Sequence, residues 1–377
     1  MEKAPLQGIS VLLMTTTLDL GGVASSLRAM VAVLLDLGAS LRACAITSGG
    51  PLEDFLSERG VETQVLGLPK WTQSLRTTRG VAELFRRDAP MVVHAHCYEP
   101  NLHASRARLV APVPWLFITY HDPRMRVHRV VMSRLLRNVP DRIVVVSRGL
   151  GDLYRRWCGY SEEKLCVLPN AVDVERFRPA RRDAALAQEL GLGDAYPVVG
   201  NVGGFGRPKG QAVAVRAFAE LVKSLPRARL VFVGDGKHRP PVEALARRLR
   251  VHDRIVFAGR REDVPRFLTL FDVYVQPSWT EADPVAVKEA LAAGKPVVST
   301  ATIGPRGFIT DGETGLLVPI GHWRALAQSI RRVAEDRDLA ARLGRAGRAY
   351  AEVEFTHETY RRRLAELYAP VVQSLRS

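Results

Sequence analysis

The sequence predicts an α/β protein of two parallel-sheet domains, and three observations predict it. At 377 residues the chain is longer than one hydrophobic core usually serves. Short apolar runs of strand length alternate with helical stretches, the order that produces parallel sheets. That alternation begins a second time at Pro197.

Bulk composition narrows the function classes. A hydrophobic content of 47% with 25% charged residues is that of a globular protein, not a disordered one. No apolar run approaches the roughly 20 residues of a membrane-spanning helix. The run Ile9–Met14, followed by Asp19, reads as a first strand rather than a signal peptide, so a cytoplasmic location is expected. Cys44, Cys97, Cys158 and Cys166 lack metal-ligand spacing and are expected as reduced thiols. The formal charge of +15 asks for an anionic partner or a compositional cause, and the excess of arginine over lysine argues partly for codon bias. No nucleic-acid module is present and aromatics do not interleave with the basic residues. An anionic substrate or membrane face is therefore expected, and no nucleic acid.

In the first half, the opening strand leads into the turn Leu18–Val23 and then a helix through Leu35. Gly21 and Gly22 in that turn would let a phosphate approach the backbone, although tight strand–helix turns need glycine anyway. Further strands are expected at Leu41–Ile46, Met91–His94 (running on to His96), Trp115–Tyr120 and Arg142–Val146. His121, at a strand end, reads equally as a structural histidine or a site group. Beyond it Arg124, Arg126, Arg129, Arg134 and Arg137 face only Asp122 before Asp141. On a helix Val127, Val130, Val131 and Leu135 would share a face, with Arg134 on that apolar side. Two readings stay open: a core-packed helix with solvated arginines, or a peripheral patch for an anionic membrane.

The second half opens with the strand Pro197–Val202, then Gly203-Gly204-Phe205-Gly206-Arg207-Pro208-Lys209-Gly210 and a helix. Glycine turn, cation and helix N-terminus together would cradle a diphosphate; a plain strand–helix turn is the alternative. Leu230–Val233 and Ile255–Ala258 continue the series. After the strand Val273–Val275 comes Ser278–Lys295, the densest stretch in the chain. Asp283 is expected to cap a helix whose first residue is Pro284, and Gly294 to stop it before Pro296-Val297-Val298. Glu281 then lies just before a helix N-terminus and Glu289 within its first two turns. Both are near a strand's carboxyl end, where open α/β sheets bind ligands. Two carboxylates beside free helix N–H groups suit a polyhydroxylated, phosphorylated ligand; an ordinary helix start with a solvated Glu is the alternative. No Asp-x-Asp pair sits at a strand end and no residues have metal-ligand spacing, so no metal is expected.

Glu281 and Glu289 with seven residues between them, followed by A-L-A-A-G-K-P-V-V-S-T, resemble the donor-site signature of family 4 retaining glycosyltransferases. Val93–His96, Ile118–Asp122, Cys166–Asp173 with Phe177, Thr310–Val318 and the closing segment Glu354–Tyr368 resemble the family too. The likeness covers nearly the whole chain and is more specific in its second half. It implies the GT-B fold: two Rossmann-like domains facing across a cleft. Residues 1–178 would form the acceptor side, completed by a C-terminal helix, 357–377, that crosses back; residues 190–356 would bind the donor.

The resemblance implies transfer of a sugar, with retention, from a nucleotide diphosphate sugar to a hydroxyl acceptor, in bacterial cell-surface glycan or glycoconjugate biosynthesis, without metal or other cofactor. Lys209 and Arg207, with Gly21 and Gly22, would hold the diphosphate, and Glu289 the ribose. Glu281 and His121 would be catalytic, Glu281 contacting sugar hydroxyls near the anomeric carbon. Asp283, Pro284 and Val285 would form the donor loop. A saccharide or lipid-linked acceptor and peripheral contact with the inner face of the plasma membrane would go with that role. The chain departs from the family pattern at Ala171, at Gly204 (where the family has an Arg five positions before the Lys), and at Ile303, Gly304 and Gly307. A sugar-nucleotide enzyme of another type, such as an epimerase, and a catalytically silent scaffold are the alternatives.

Overall fold

In the computed structural model, which describes residues 4–19, 22–69 and 74–375, the chain divides into two units. One runs to Ala171 and resumes at His357; the other is Val172–Thr356.

The first unit holds β1 (Ser10–Thr17), β2 (Ser40–Ser48), β3 (Glu62–Val65), β4 (Val92–His96), β5 (Trp115–Tyr120), β6 (Arg142–Val145) and β7 (Leu165–Val167). They form one parallel sheet in the order β3-β2-β1-β4-β5-β6-β7. All five residues of β4 are buried, as expected of a strand covered on both faces. β3 and β7 are the edge strands, and neither was expected. Edge strands are short and tolerate polar residues, and Glu-Thr-Gln-Val shows no apolar run. Helix 22–36 packs on the sheet through Leu27, Met30, Val31 and Leu34. The last helix, His357–Ser374, joins the same core through Tyr360, Leu364, Tyr368 and Val371. There the Tyr368 ring meets Phe117 edge-on at 5.1 Å, and its hydroxyl lies 3.0 Å from His94 Nδ1.

The second unit holds β8 (Val198–Val202), β9 (Arg229–Val233), β10 (Ile255–Phe257), β11 (Val273–Gln276), β12 (Val297–Thr300) and β13 (Leu316–Val318). Their order, β10-β9-β8-β11-β12-β13, is parallel throughout and reverses direction between β8 and β11. Such a switch point is where open α/β sheets leave a crevice for ligand. Val213, Phe218 and Leu221 of helix 211–224 pack with Leu326 and Ile330 in one cluster. Phe267, Phe271, Tyr274, Val287 and Leu291 belong to another.

Helix Val285–Ala292 stops as expected. Gly294 has φ +68°, its N–H donates to the Leu291 carbonyl (2.9 Å), and Lys295 N–H donates to that of Ala290 (3.0 Å). Its start differs from expectation: Pro284 precedes the first helical residue, and no side chain caps the helix. The Asp283 carboxylate instead lies 2.5 Å from Lys288 Nζ, the side chains being 2% and 0% exposed. A capping bond contributes about 1 kcal/mol. Leaving a buried ammonium unpaired costs several, so the ion pair takes the carboxylate. Lys288 Nζ also sits 4.4 Å above the Phe355 ring.

The arginine-rich segment forms helix Val127–Leu135, but the core-packed face of the first of the two readings is not there. Val127, Val131 and Leu135 are 81%, 48% and 71% exposed, and Ser133 is the helix's one buried residue.

Candidate functional site

The turn after β8 brings a cation to the switch point of the second sheet. Arg207–Lys209 form a single 3₁₀ turn, and Gly210 follows at φ +68° before helix 211–224 begins. A Cβ on Gly210 would run into the Pro277 carbonyl, so only glycine lets this turn lie against the loop after β11. The Trp279 N–H donates to the Pro208 carbonyl (2.8 Å) and ties the two loops together. With the loops joined, Lys209 Nζ reaches Glu281 Oε1 at 2.8 Å. Ser278 Oγ (2.8 Å) and Gln276 Nε2 (3.1 Å) donate to the same oxygen. Three donors on one oxygen fix the carboxylate, and among the described residues no hydrogen bond occupies Oε2. The Gly304 N–H donates to the Glu281 carbonyl (2.9 Å), which anchors the loop from the β12 side.

Glu289 is partly buried and has no side-chain hydrogen bond among the described residues. Burial pushes its carboxyl up to about 7, with Arg176 pulling it back. The Tyr274 phenol is fully buried and donates to Gln276 Oε1 (2.9 Å). Its pKa is pushed upward by burial first, then by the charges of Glu289 and Glu281.

Arg207 is exposed, without a bonded partner among the described residues. Gly204 is exposed as well, and a Cβ there would meet only the Asp235 carbonyl oxygen at 3.5 Å, an ordinary contact. An open groove beside the turn is lined by Arg207, Pro208, Gln211, Ala212, Trp279 and Thr280. Of the residues expected to form a donor loop, Asp283 is tied to Lys288, Pro284 leads into the helix and Val285 begins it.

The remaining expected residues belong to the first unit. Gly22 begins helix 22–36 and is exposed; Gly21 lies outside the described residues. His121 follows β5, and its Nε2 lies 3.2 Å from Nδ1 of His96, at the end of β4. Burial pushes His121 down to about 4 and His96 well below the ordinary histidine range, so both rings are neutral near pH 7. Sequence reasoning missed Gln276, Tyr274 and His96 as parts of these sites. The available signal was polar side chains at the carboxyl ends of otherwise apolar strands.

Comparison with known proteins covers both units. The Glycosyltransferase Family 4 model matches residues 20–176, and the model for glycosyl transferases group 1 matches residues 183–350. The lipopolysaccharide core biosynthesis glycosyltransferase LpsE of Rhizobium meliloti is 37% identical over 162 residues, 43% of this chain and 46% of the relative. The D-inositol 3-phosphate glycosyltransferase of Nocardia farcinica is 32% identical over 276 residues, 70% of this chain and 57% of the relative. The chain thus spans about half the length of these curated relatives. The crystal structure of Anabaena Alr3699/HepE in complex with UDP superposes with a TM-score of 0.84 at 21% identity, over 96% of this chain and 100% of that one. That likeness is one of fold: the architecture is GT-B.

Proposed function

The chain belongs to glycosyltransferase family 4, and on that footing we propose that it transfers a sugar, with retention, from a nucleoside diphosphate sugar to a hydroxyl acceptor in surface-glycan or glycoconjugate biosynthesis. The observation that carries the proposal is the meeting of Lys209 and Glu281 at the switch point of the second sheet, with Glu289 on the following helix. Lys209 and the N–H groups opening helix 211–224 neutralise the diphosphate, a task that then needs no metal. Arg207, exposed on the same turn, adds a second cation. Glu289 accepts the ribose hydroxyls, and Glu281 a sugar hydroxyl through Oε2. The UDP and UDP-glucose complexes of the Anabaena protein support a nucleotide-sugar donor.

Chemically, the acceptor oxygen bonds to the anomeric carbon as the carbon–phosphate oxygen bond breaks, and the departing phosphate oxygen takes the acceptor's proton on the same face. Developing charge on the leaving diphosphate is the quantity a fixed cation stabilises best. His121 contacts a substrate oxygen. A thermal-shift panel of UDP-, GDP- and ADP-sugars tests donor binding, because a ligand of the folded state raises the midpoint. Donor turnover with and without saccharide acceptors, in chelator, tests the chemistry. No midpoint shift with any sugar nucleotide would overturn the reading and favour the silent scaffold.

A second observation supports a location. From the helix that carries the exposed Val127, Val131 and Leu135, Arg134 Nε donates at 2.8 Å to the carbonyl of Trp157, which is itself 49% exposed. Exposed Arg126, Arg134, Arg137 and Arg156 lie on or beside helix Val127–Leu135 and helix Arg148–Cys158, which carries Trp157. An apolar stripe with an indole among arginines matches the interface of an anionic bilayer. We propose that this cytoplasmic enzyme docks there reversibly, and that its acceptor is lipid-linked. No described helix is long and apolar enough to cross a membrane.

A further inference from the structure

Three histidine rings stand in a row at the carboxyl ends of β4 and β5. His94 and His96 are 4.7 Å apart at their centroids, and His96 and His121 are 5.5 Å apart, both pairs stacked. His94 is fully engaged: Nδ1 meets the Tyr368 hydroxyl at 3.0 Å and Nε2 meets Thr119 Oγ1 at 2.7 Å. His96 is not. Its Nδ1 lies 3.2 Å from His121 Nε2, while its own Nε2 is buried with no hydrogen-bond partner among the described residues.

Between two neutral rings that contact has two solutions. If His121 donates from Nε2, then Nδ1 of His96 is the acceptor and the His96 proton must sit on Nε2. That N–H would then point into packed protein with nothing to accept it. If instead His96 donates from Nδ1, its Nε2 holds only a lone pair, and the His121 proton must sit on Nδ1. A buried donor left without an acceptor is the rarer defect in folded proteins. The second solution avoids it. A charged ring is no third solution, because burial holds both histidines far below their usual range.

We infer that His96 is a positioning residue: donating from Nδ1, it fixes His121 as the Nδ1–H tautomer and makes it a hydrogen-bond donor. Which nitrogen of an imidazole carries the proton is set by the bond the other nitrogen makes. His121 Nε2 is then occupied and Nδ1 already bears a proton, so the ring has no lone pair with which to act as a base. It donates to a substrate oxygen instead. This agrees with a reaction in which the leaving phosphate oxygen receives the acceptor's proton. Only the substrate contact rests on the glycosyl-transfer reading; the tautomer does not.

The test uses the whole protein labelled with [¹⁵N]histidine. His121 signals are assigned by their loss in His121→Gln, and the tautomer is read from long-range ¹H–¹⁵N correlations. His96→Leu removes the donor, whereas His96→Asn retains an N–H close to the position of Nδ1. The expected result is an Nδ1–H His121 in the wild type and in His96→Asn, and a mixture containing Nε2–H in His96→Leu. Turnover should fall about tenfold in His96→Leu with KM little changed, and recover in His96→Asn. An Nε2–H His121 in the wild type overturns the inference, as does a His96→Leu protein that is folded with His121 unaltered. Should His121→Gln keep full turnover while the tautomer behaves as expected, the positioning stands and the substrate contact fails.

Discussion

Lys209 Nζ and Glu281 Oε1 are 2.8 Å apart, so the cation assigned to the donor diphosphate is held by the carboxylate assigned to the sugar. Lys209 is 39% exposed and Glu281 9% exposed, so the ammonium is the partner free to swing toward a phosphate. Lys209→Ala should lower turnover by roughly 10²–10³, the cost of removing one charge-stabilising group. Glu281→Gln should also cut turnover while leaving nucleoside diphosphate affinity equal to or tighter than wild type, since Lys209 is released. Steady-state kinetics and calorimetry separate the two effects. A Glu281→Gln protein that loses affinity but keeps turnover would reverse these roles.

Gly204 stands where the family resemblance leads one to expect an arginine, and Arg207 is the exposed cation nearest in sequence. If Arg207 supplies the missing charge, Arg207→Ala should also cost turnover on the order of 10²-fold. Gly204→Arg in that background should restore part of it, because the site accepts a Cβ with only an ordinary contact. Full activity in Arg207→Ala would make Arg207 a solvated loop residue and leave Lys209 as the cation of that turn.

Asp283 and Lys288 form an ion pair with almost no solvent access at the start of helix Val285–Ala292. Removing one partner strands the other, so Lys288→Met should cost about 3–5 kcal/mol of stability in urea unfolding. Asp283→Asn with Lys288→Met should recover most of that loss, since neither charge then remains. Single variants that cost under about 1 kcal/mol would mean that water reaches the pair.

Helix Val127–Leu135 makes a separable prediction. The protein should sediment with anionic but not neutral vesicles at low salt, and less at high salt. Arg126→Gln with Arg137→Gln should weaken binding about 30-fold, at about 1 kcal/mol for each charge. Val127→Asp with Leu135→Asp should weaken it too. Protein that stays in the supernatant with anionic vesicles, or that self-associates through this face instead, would remove the membrane from the account.

Much of this was legible in the residues. The central strands β1, β4, β5, β8, β9 and β11 are buried on both faces, and each carries an apolar run. β3, Glu-Thr-Gln-Val, carries no such run and β7, Leu-Cys-Val, is only three residues long, so both stayed hidden. The stretch Ser278–Lys295 announced its two glutamates through the glycine stop at Gly294 and the strand after it. It could not announce that Asp283 would turn inward, because that depends on Lys288 being buried, and a lysine on a helix reads as solvated. The same limit hid the exposed valines: periodicity groups Val127, Val131 and Leu135 on one face without saying whether anything covers it. His96 was visible only as part of a strand end, since its bond to His121 joins two strands that pair through long-range register.

Glu289 gives the most direct test of a nucleotide site on this helix. Its carboxyl is raised to about 7, so the fold favours the protonated form. Stability should therefore fall as pH rises from the ordinary carboxylate range to about 7 and level off above it; Glu289→Gln should remove that fall. Ribose hydroxyls donate to the ionised carboxylate, so nucleotide affinity should rise over the same window. The deciding measurement is calorimetric titration at pH 8, into wild type and Glu289→Ala, of whichever of UDP, GDP or ADP raises the wild-type midpoint most. The account predicts a dissociation constant at least about tenfold weaker in the variant, about 1.4 kcal/mol. An unchanged constant in a folded Glu289→Ala protein would contradict it.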